Sequence, residues 1–426
     1  MTDDVLRLAD RLWAGEERVE ISHLFHAAPS LVEVADGIAF VAAFANASVV
    51  RTADGLVMVD TGSFLTARAL FETVRAWSGD PLHTAVYSHG HVDHVFGVPL
   101  FEEEAGGRGW AAPRVVAHEA LPARFDRYLL TLGYNEIVNQ RQFQAPGLRW
   151  PTAYRYPDET YRDEHRLTVG GERFELYHAR GETDDHTWTW LTDRRILCCG
   201  DLFIWCSPNA GNPQKVQRYP REWAAALRRM VAMEPEVVLP GHGLPLVGRE
   251  RVLRALTDTA DLLDTLVDQA LSLMNQGARL DEVIHTVRAP DELTGRPYLR
   301  PIYDEPEFVV RNVWRQYGGW YDGNPAHLKP AREAALAKEL AALAGGARRL
   351  AGRASALAGS ATDDDLRLAG HLVELAALAE PDDREIHAAR AEVFRARVAA
   401  ATSIMAKGVF AWAQAESEQR VTPPPG

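Results

Sequence analysis

A layered α/β region followed by an all-α region is the fold class this sequence predicts, and three observations carry it. Strand-like runs rich in Val, Ile, Phe and Thr alternate with amphipathic helical stretches as far as Gly248, the pattern of helices layered on sheets. Beyond Gly248 strand signals largely stop, and Leu253, Leu256, Leu263, Val267, Ala270 and Met274 recur at helical spacing. From Ala335 to Ala415 the chain is rich in Ala, Leu, Glu and Arg, divided by "GG", "GSATDDD" and "EPDD" into lengths that suit stacked helical hairpins.

Taken in order from Gly37, "IAFVAAF" and "ASVVRT" read as strands, "ADG" as a turn and "LVMVDTG" as the next strand. "FLTARALFETVRAWSG" predicts a helix and leads into "HTAVYSH". The strand series continues through "RVVAHE", "HRLTVGGERFELYHA" with its Gly-Gly turn, "HTWTWL", "RRILCCG" and "EVVLPGHG", with a helix at "REWAAALRRMVAM" before the last. "RERVLRALTDTADLLDTLVDQALSLMNQG" opens the helical part. The expected division is a first domain over 1–248, a helical domain over 249–412 and a flexible tail over 413–426.

A chain of 426 residues, 46% hydrophobic and 25% charged, has material for a large core and more than one domain. Its net charge of -13 argues against nucleic acid or an anionic membrane as partner, since phosphate binding needs clustered Lys and Arg. The start, "MTDDVLRLADRL", is acidic where a signal peptide is basic, and no run reaches the length of a transmembrane helix. A cytoplasmic protein acting on a small molecule is the expectation. Cys198, Cys199 and Cys206 are too close in sequence to staple distant segments and lack CxxC spacing, so buried thiols are expected.

The chemistry is concentrated in "YSHGHVDHVFG", Tyr87 to Gly97. His89 and His91 are two apart at the end of an extended run, so their side chains share a side and can share a metal. Asp93 and His94 follow where the chain must turn, and can face a second metal. Three further candidates share the arrangement of strand, glycine, ligand: Glu182 in "ARGETDDHTWTW", Asp201 in "ILCCGDLF" and His242 in "VVLPGHGLP". Ligands recurring at one edge of a sheet can converge on one cleft.

This set resembles the metallo-β-lactamase superfamily, whose signature is HxHxDH, a third metal-1 ligand, a bridging acid after a glycine and a late "GH". "VMVDTG" resembles its first motif, in which Asp60 orients a ligand without binding metal. Alkylsulfatase-type members carry Glu as the third metal-1 ligand and another acid nineteen positions later, the separation of Glu182 and Asp201. "MNQG", Met274 to Gly277, and "GGWYDGNPAHL", Gly318 to Leu328, resemble the alkylsulfatase dimerisation domain, so that the likeness runs from about Val32 to Phe410. It implies an αββα sandwich as the catalytic domain, an all-α dimerisation domain and a homodimer. It also implies metal 1 on His89, His91 and Glu182, metal 2 on Asp93, His94 and His242, and Asp201 bridging. Two Zn²⁺ suit this mixture of His and carboxylate, and ligand type leaves manganese and iron open. His186 is the rival for the third metal-1 position; Asp184 and Asp185 read as turn or supporting residues.

Two metals about 3.5 to 4 Å apart can hold a bridging hydroxide and polarise the substrate, so an ester hydrolase is expected, and by resemblance one for sulfate esters. The loop "PNAGNPQKVQRYPR" occupies the place where the family has a sulfate-binding Arg, and Lys215 or Arg218, with Asn209, can fill that role; solvated surface cations are the alternative. Asp93, Asp201, Lys215 and Arg218 are the expected catalytic residues. Tyr134, Asn135 and Arg141 of "YLLTLGYNEIVNQRQF", together with Arg311 and Tyr321, are substrate-binding candidates. Three departures from the family stand out. The bridging acid is Asp where alkylsulfatases commonly have Glu, "PEFVVRNVW" lacks an expected His, and a sterol-carrier-like domain does not follow, which points to short or medium substrates. The alternatives are a lactone, thioester or phosphodiester hydrolase on the same metals, or a di-iron redox protein or non-catalytic scaffold.

Overall fold

The computed structural model describes residues 3–360 and 362–422. Two mixed sheets organise the first half. The larger has seven strands in sequential order: β1 (Ser30–Ala35), β2 (Ile38–Ala42), β3 (Ala47–Thr52), β4 (Gly55–Val59), β5 (Leu82–Val86), β6 (Arg114–His118) and β7 (Glu159–Tyr161). β1 to β4 pair antiparallel, and β4 to β7 pair parallel. The second sheet comprises β8 (Glu164–Val169), β9 (Glu172–His178), β10 (Thr187–Leu191), β11 (Ile196–Gly200), β12 (Val237–Pro240) and β13 (Leu246–Val247), with order β13-β12-β11-β10-β9-β8 and only β11 and β12 parallel.

β2, β4, β10 and β11 are buried along their whole length, and β2, β4 and β11 accordingly read as continuous runs without polar alternation, whereas β10 alternates Thr and Trp. Helices Ala67–Trp77, Val98–Arg108 and Leu121–Leu130 cover the larger sheet, placing Leu70, Val74, Val98, Phe101, Leu121 and Phe125 in one core with Val49, Met58, Ala85 and Val115. The strand series and the helices at 67–77 and 220–232 fall where the sequence puts them. Besides Leu121–Leu130 and the short helices, three helices do not announce themselves. Val98–Arg108 has a proline in its first turn and two glycines near its end. Leu132–Phe143 has almost no apolar face, because it buries Asn135, Asn139 and Gln140. Those amides bond locally, Asn139 Nδ2 to the Asn135 carbonyl at 2.7 Å and Gln140 Nε2 to that of Leu148 at 2.9 Å, so polar residues occupy positions where periodicity looks for apolar ones. The third, Asp3–Ala14, precedes the first strand.

Contacts divide the chain into two compact units. One holds residues 1–132, 150–278 and 282–319; the other holds 133–149, 279–281 and 320–426. Helices Arg249–Asn275 and Pro306–Gly318 therefore pack with the sheets, although their sequences read as part of the helical region. In the second unit, helices Glu333–Ala344, Ala347–Ala358, Asp363–Ala379, Arg384–Ala400 and Ile404–Val421 stack as hairpins. The polar interruptions are caps: Thr362 accepts from the Asp365 amide, Asp383 from those of Glu385 and Ile386, and Ser403 from that of Ala406, each satisfying amide groups a helix start leaves unpaired. The last helix runs to Val421, through much of the stretch expected as a tail, and 423–426 lie outside the described residues. No helix among the described residues is long and apolar enough to cross a membrane.

Candidate metal centre

β5 delivers His89 to the edge of the larger sheet, where the chain turns through His91, Asp93 and His94. His89 Nε2 and His91 Nδ1 lie 2.7 Å apart, so two ring nitrogens converge on one point. His94 is oriented from behind by Asp60, which follows β4: Asp60 Oδ2 is 2.8 Å from His94 Nδ1 and accepts from Ser88 Oγ at 2.7 Å, while Oδ1 accepts from the Ser88 amide at 2.7 Å. With Nδ1 donating to a carboxylate, the lone pair of His94 is on Nε2, facing the cluster. Asp60 adopts φ +61°, a left-handed conformation that is costly outside glycine. Its three hydrogen bonds, and that of its amide to the Val86 carbonyl at 2.9 Å, hold it there.

The other ligand candidates come from the second sheet. β11 and β12 run parallel, so Asp201 and His242, each just past its strand, emerge at the same edge. Gly241 lies so close that a Cβ there would sit 2.0 Å from Asp201 Oδ1, and only glycine fits. His242 Nδ1 faces the Phe44 carbonyl at 2.8 Å, leaving Nε2 for the cluster. The turn is tied down by Asn46, which donates to the carbonyls of Pro240 and Gly243 at 3.0 and 3.1 Å. Glu182 follows β9 and is buried.

These seven residues form two groups whose ligand atoms lie within 4.8 Å of one another: His89, His91, Glu182 and Asp201 in one, Asp93, His94 and His242 in the other. Asp201 touches both. Its Oδ2 is 3.8 Å from His89 Nε2 and 3.3 Å from His242 Nε2, and its Oδ1 is 3.5 Å from His94 Nε2. His94 Nε2, Asp201 Oδ1 and Glu182 Oε2 are buried without a hydrogen-bond partner, which is how atoms reserved for cations look in their absence. Burial, and then the charge of Asp201, pushes the Glu182 carboxyl well above its ordinary range; positive charge between the two is what would let both ionise. The donor set fits divalent metal. His186 is engaged otherwise, its Nε2 accepting the Asp201 amide at 3.1 Å.

Beside this cluster Arg218 is buried at 1% exposure, with Nη2 at 3.4 Å from Glu182 Oε1 and with Nε and Nη1 unpartnered. Asn209 Nδ2 donates to the same Glu182 oxygen. Oε1 is thus held by two side chains and Oε2 is left open. Lys215 sits over the Trp150 ring at 5.5 Å, its ammonium pushed down to about 7 by burial and then by Arg218. Arg311 is not drawn in: it is exposed and pairs with Glu307 of its own helix at 3.4 Å. Tyr134, Asn135, Arg141 and Tyr321 belong to the other compact unit, where Tyr134 is exposed and Asn135 buried.

Two supports escape sequence reasoning. Arg124, buried on helix Leu121–Leu130, donates Nε to Asp185 Oδ1 at 2.7 Å and pairs with Asp184, while Asp185 Oδ2 takes the Gly90 amide at 2.8 Å, so that the loop between His89 and His91 is anchored. Despite burial, Arg124 holds the Asp185 carboxyl down at about 2. Asn46 is the other, and nothing in "FANAS" marks it.

Residues 41–242 match the model of the metallo-beta-lactamase superfamily, and residues 279–420 that of alkyl sulfatase dimerisation. The chain joins a metallo-β-lactamase superfamily domain to an alkyl sulfatase dimerisation domain. It is 28% identical over 332 residues to a linear primary-alkylsulfatase of Pseudomonas sp., covering 70% of this chain and 60% of that protein. To an (R)-specific secondary-alkylsulfatase of Pseudomonas sp. it is 26% identical over 363 residues, covering 79% of this chain and 54% of the other. The chain thus spans little more than half the length of these relatives. A stereoselective inverting sec-alkylsulfatase from Pseudomonas sp. shares the fold, with a TM-score of 0.80 at 23% identity over 93% of this chain and 66% of that one.

Proposed function

We propose that this superfamily member is a dinuclear metal-dependent hydrolase of sulfate esters. The observation that carries the reading is a buried Arg218, with two unpartnered guanidinium nitrogens, against a seven-ligand cluster. An ordinary metal-dependent esterase has no use for a desolvated guanidinium there, whereas a sulfate group supplies the oxygens it lacks. The alkylsulfatase names of the relatives support the same substrate class.

In this reading His89, His91 and Glu182 would hold one metal and Asp93, His94 and His242 the other, with Asp201 within reach of both groups. Two Zn²⁺ bound there supply Lewis acidity, polarising an ester oxygen and lowering the pKa of water. The chain's own residues do the rest. Arg218 and Lys215 bind the sulfate and fix its orientation. Asp93, at 20% side-chain exposure the most open of the three ligand carboxylates, is placed to take a proton from an attacking water. Asp60, Asn209 and Arg124 keep the ligands rigid, so no reorganisation is needed at the moment of reaction. The protein works as a homodimer formed through its dimerisation domain.

Purified, metal-loaded protein assayed on sulfate, phosphate, lactone and thioester substrates tests this. Sulfate release from a primary or secondary alkyl ester is expected, and turnover of a lactone, thioester or phosphodiester alone moves the function to that class. Reaction in ¹⁸O-water shows whether the label enters the alcohol, meaning attack at carbon, or the sulfate, meaning attack at sulfur.

A further inference from the structure

Helix Pro306–Gly318 presents three valines, Val309, Val310 and Val313, to the interior, and among them Asn312 is buried at 3% exposure. A carboxamide on an apolar face is costly unless all its valences are used. Here both ends of the carboxamide reach the main chain of one residue. Asn312 Oδ1 accepts the backbone amide of Arg218 at 3.3 Å, and Nδ2 donates to the Arg218 carbonyl at 3.0 Å. Oδ1 also takes Gln217 Nε2 and Arg315 Nη2, each at 3.0 Å. Two obligate donors, a main-chain amide and a guanidinium, meet one end of the carboxamide and a carbonyl meets the other, so its orientation is fixed.

The same helix holds the far end of the loop. Asp304, buried just before it, accepts the Gly211 amide at 2.6 Å, and a Cβ on Gly211 would lie 2.2 Å from Phe308 C and Val309 N. The segment from Asn209 to Arg218 is therefore pinned to one helix at both ends. Among the described residues Arg218 has no other main-chain anchor of this kind: Gln217 Nε2, which also reaches its carbonyl at 2.7 Å, is itself bound to Asn312.

We propose that Asn312 is a positioning residue for Arg218, through which helix Pro306–Gly318 sets how tightly the site holds an oxyanion; this rests on the reading of Arg218 as the sulfate contact. Releasing the Arg218 backbone lets its guanidinium leave the Glu182 side of the cluster, and the oxyanion loses its fixed partner.

The test is calorimetric titration of inorganic sulfate into the zinc-loaded full chain, with Asn312→Ala, Asn312→Asp, Arg218→Ala and the Asn312→Ala/Arg218→Ala pair. Asn312→Ala is expected to weaken sulfate by about tenfold, the loss of one or two hydrogen bonds. Asn312→Asp keeps the acceptor and loses the donor, and falls between; it carries the test should the alanine variant not fold. The double variant is no weaker than Arg218→Ala alone. Hydrogen exchange at the Arg218 amide quickens in Asn312→Ala, and turnover shows a raised KM with kcat retained. Sulfate affinity within twofold of the unmodified chain in Asn312→Ala and Asn312→Asp overturns the proposal, as does an equal loss on top of Arg218→Ala or no sulfate binding by the unmodified chain. Failure to hydrolyse any sulfate ester sinks the functional reading instead, and leaves the affinities to decide this one.

Discussion

At the scale of single residues the site is a matter of which atom of each side chain is left over. Asp60 takes Nδ1 of His94, the Phe44 carbonyl takes Nδ1 of His242, and Asn209 with Arg218 takes one oxygen of Glu182. Asp60→Asn removes the charge that orients His94 and should cost about 10- to 100-fold in metal affinity, measurable by competition with a chromophoric chelator. Lys215 carries a pH signature. Its folded pKa of about 7 lies below its ordinary value, so the ammonium is charged below that pH and neutral above it. Affinity for sulfate should therefore fall as pH rises through about 7, and Lys215→Met should flatten the profile; an unchanged slope in that variant excludes Lys215 from the anion pocket. The residues of both ligand groups were legible in sequence because their chemical types are rare in such density. Arg124 and Asn46 were not, since one arginine or asparagine among many looks alike until tertiary contacts select it.

Elements add the registration between ligands. β4 and β5 run parallel and so do β11 and β12, so consecutive ligand turns open at the same strand ends. Gly241→Ala should lower the melting temperature, because its Cβ would lie 2.9 Å from the Gly200 backbone carbon as well as 2.0 Å from the buried Asp201 Oδ1, and it should sharply lower metal stoichiometry measured by mass spectrometry of the native protein. Asn46→Ala strips two buried carbonyls of their donor and should cost about 1–3 kcal/mol of stability, read from denaturant titration of the metal-free chain. The strands were readable from β-branched runs between glycines, apart from β1, β7 and β13, which the sequence does not mark. Helix Leu132–Phe143 was not, since its buried face is built of amides, and neither was the dependence of Arg218 on Asn312, which joins positions almost a hundred residues apart.

For the whole molecule, bound metal would also be a structural tie, because the candidate ligands come from both sheets. Metal at about 100 times its dissociation constant adds about 2.7 kcal/mol to the stability of the folded state, so chelation should lower the melting temperature and zinc should restore it. A homodimer predicts a light-scattering mass twice the 47.2 kDa of the chain. In the second unit Leu336, Leu340 and Leu343 are exposed along helix Glu333–Ala344 at the spacing of one face, and Leu340→Glu should shift that mass towards the monomer.

The sequence alone singled out the candidate metal ligands and the succession of a sheet-bearing and a helical region, because residue type and hydrophobic periodicity are local properties written in consecutive residues. It placed Asp201 nineteen positions after Glu182 and named Lys215 and Arg218 together. Only the tertiary structure separated those two cations: Arg218 is buried against a ligand carboxylate and Lys215 is set over Trp150. It also committed His186 Nε2 to the Asp201 amide and left Arg311 paired in the open. Such outcomes depend on which side chains meet across long separations and on what burial does to their charge, and neither is a property of any stretch of chain taken by itself.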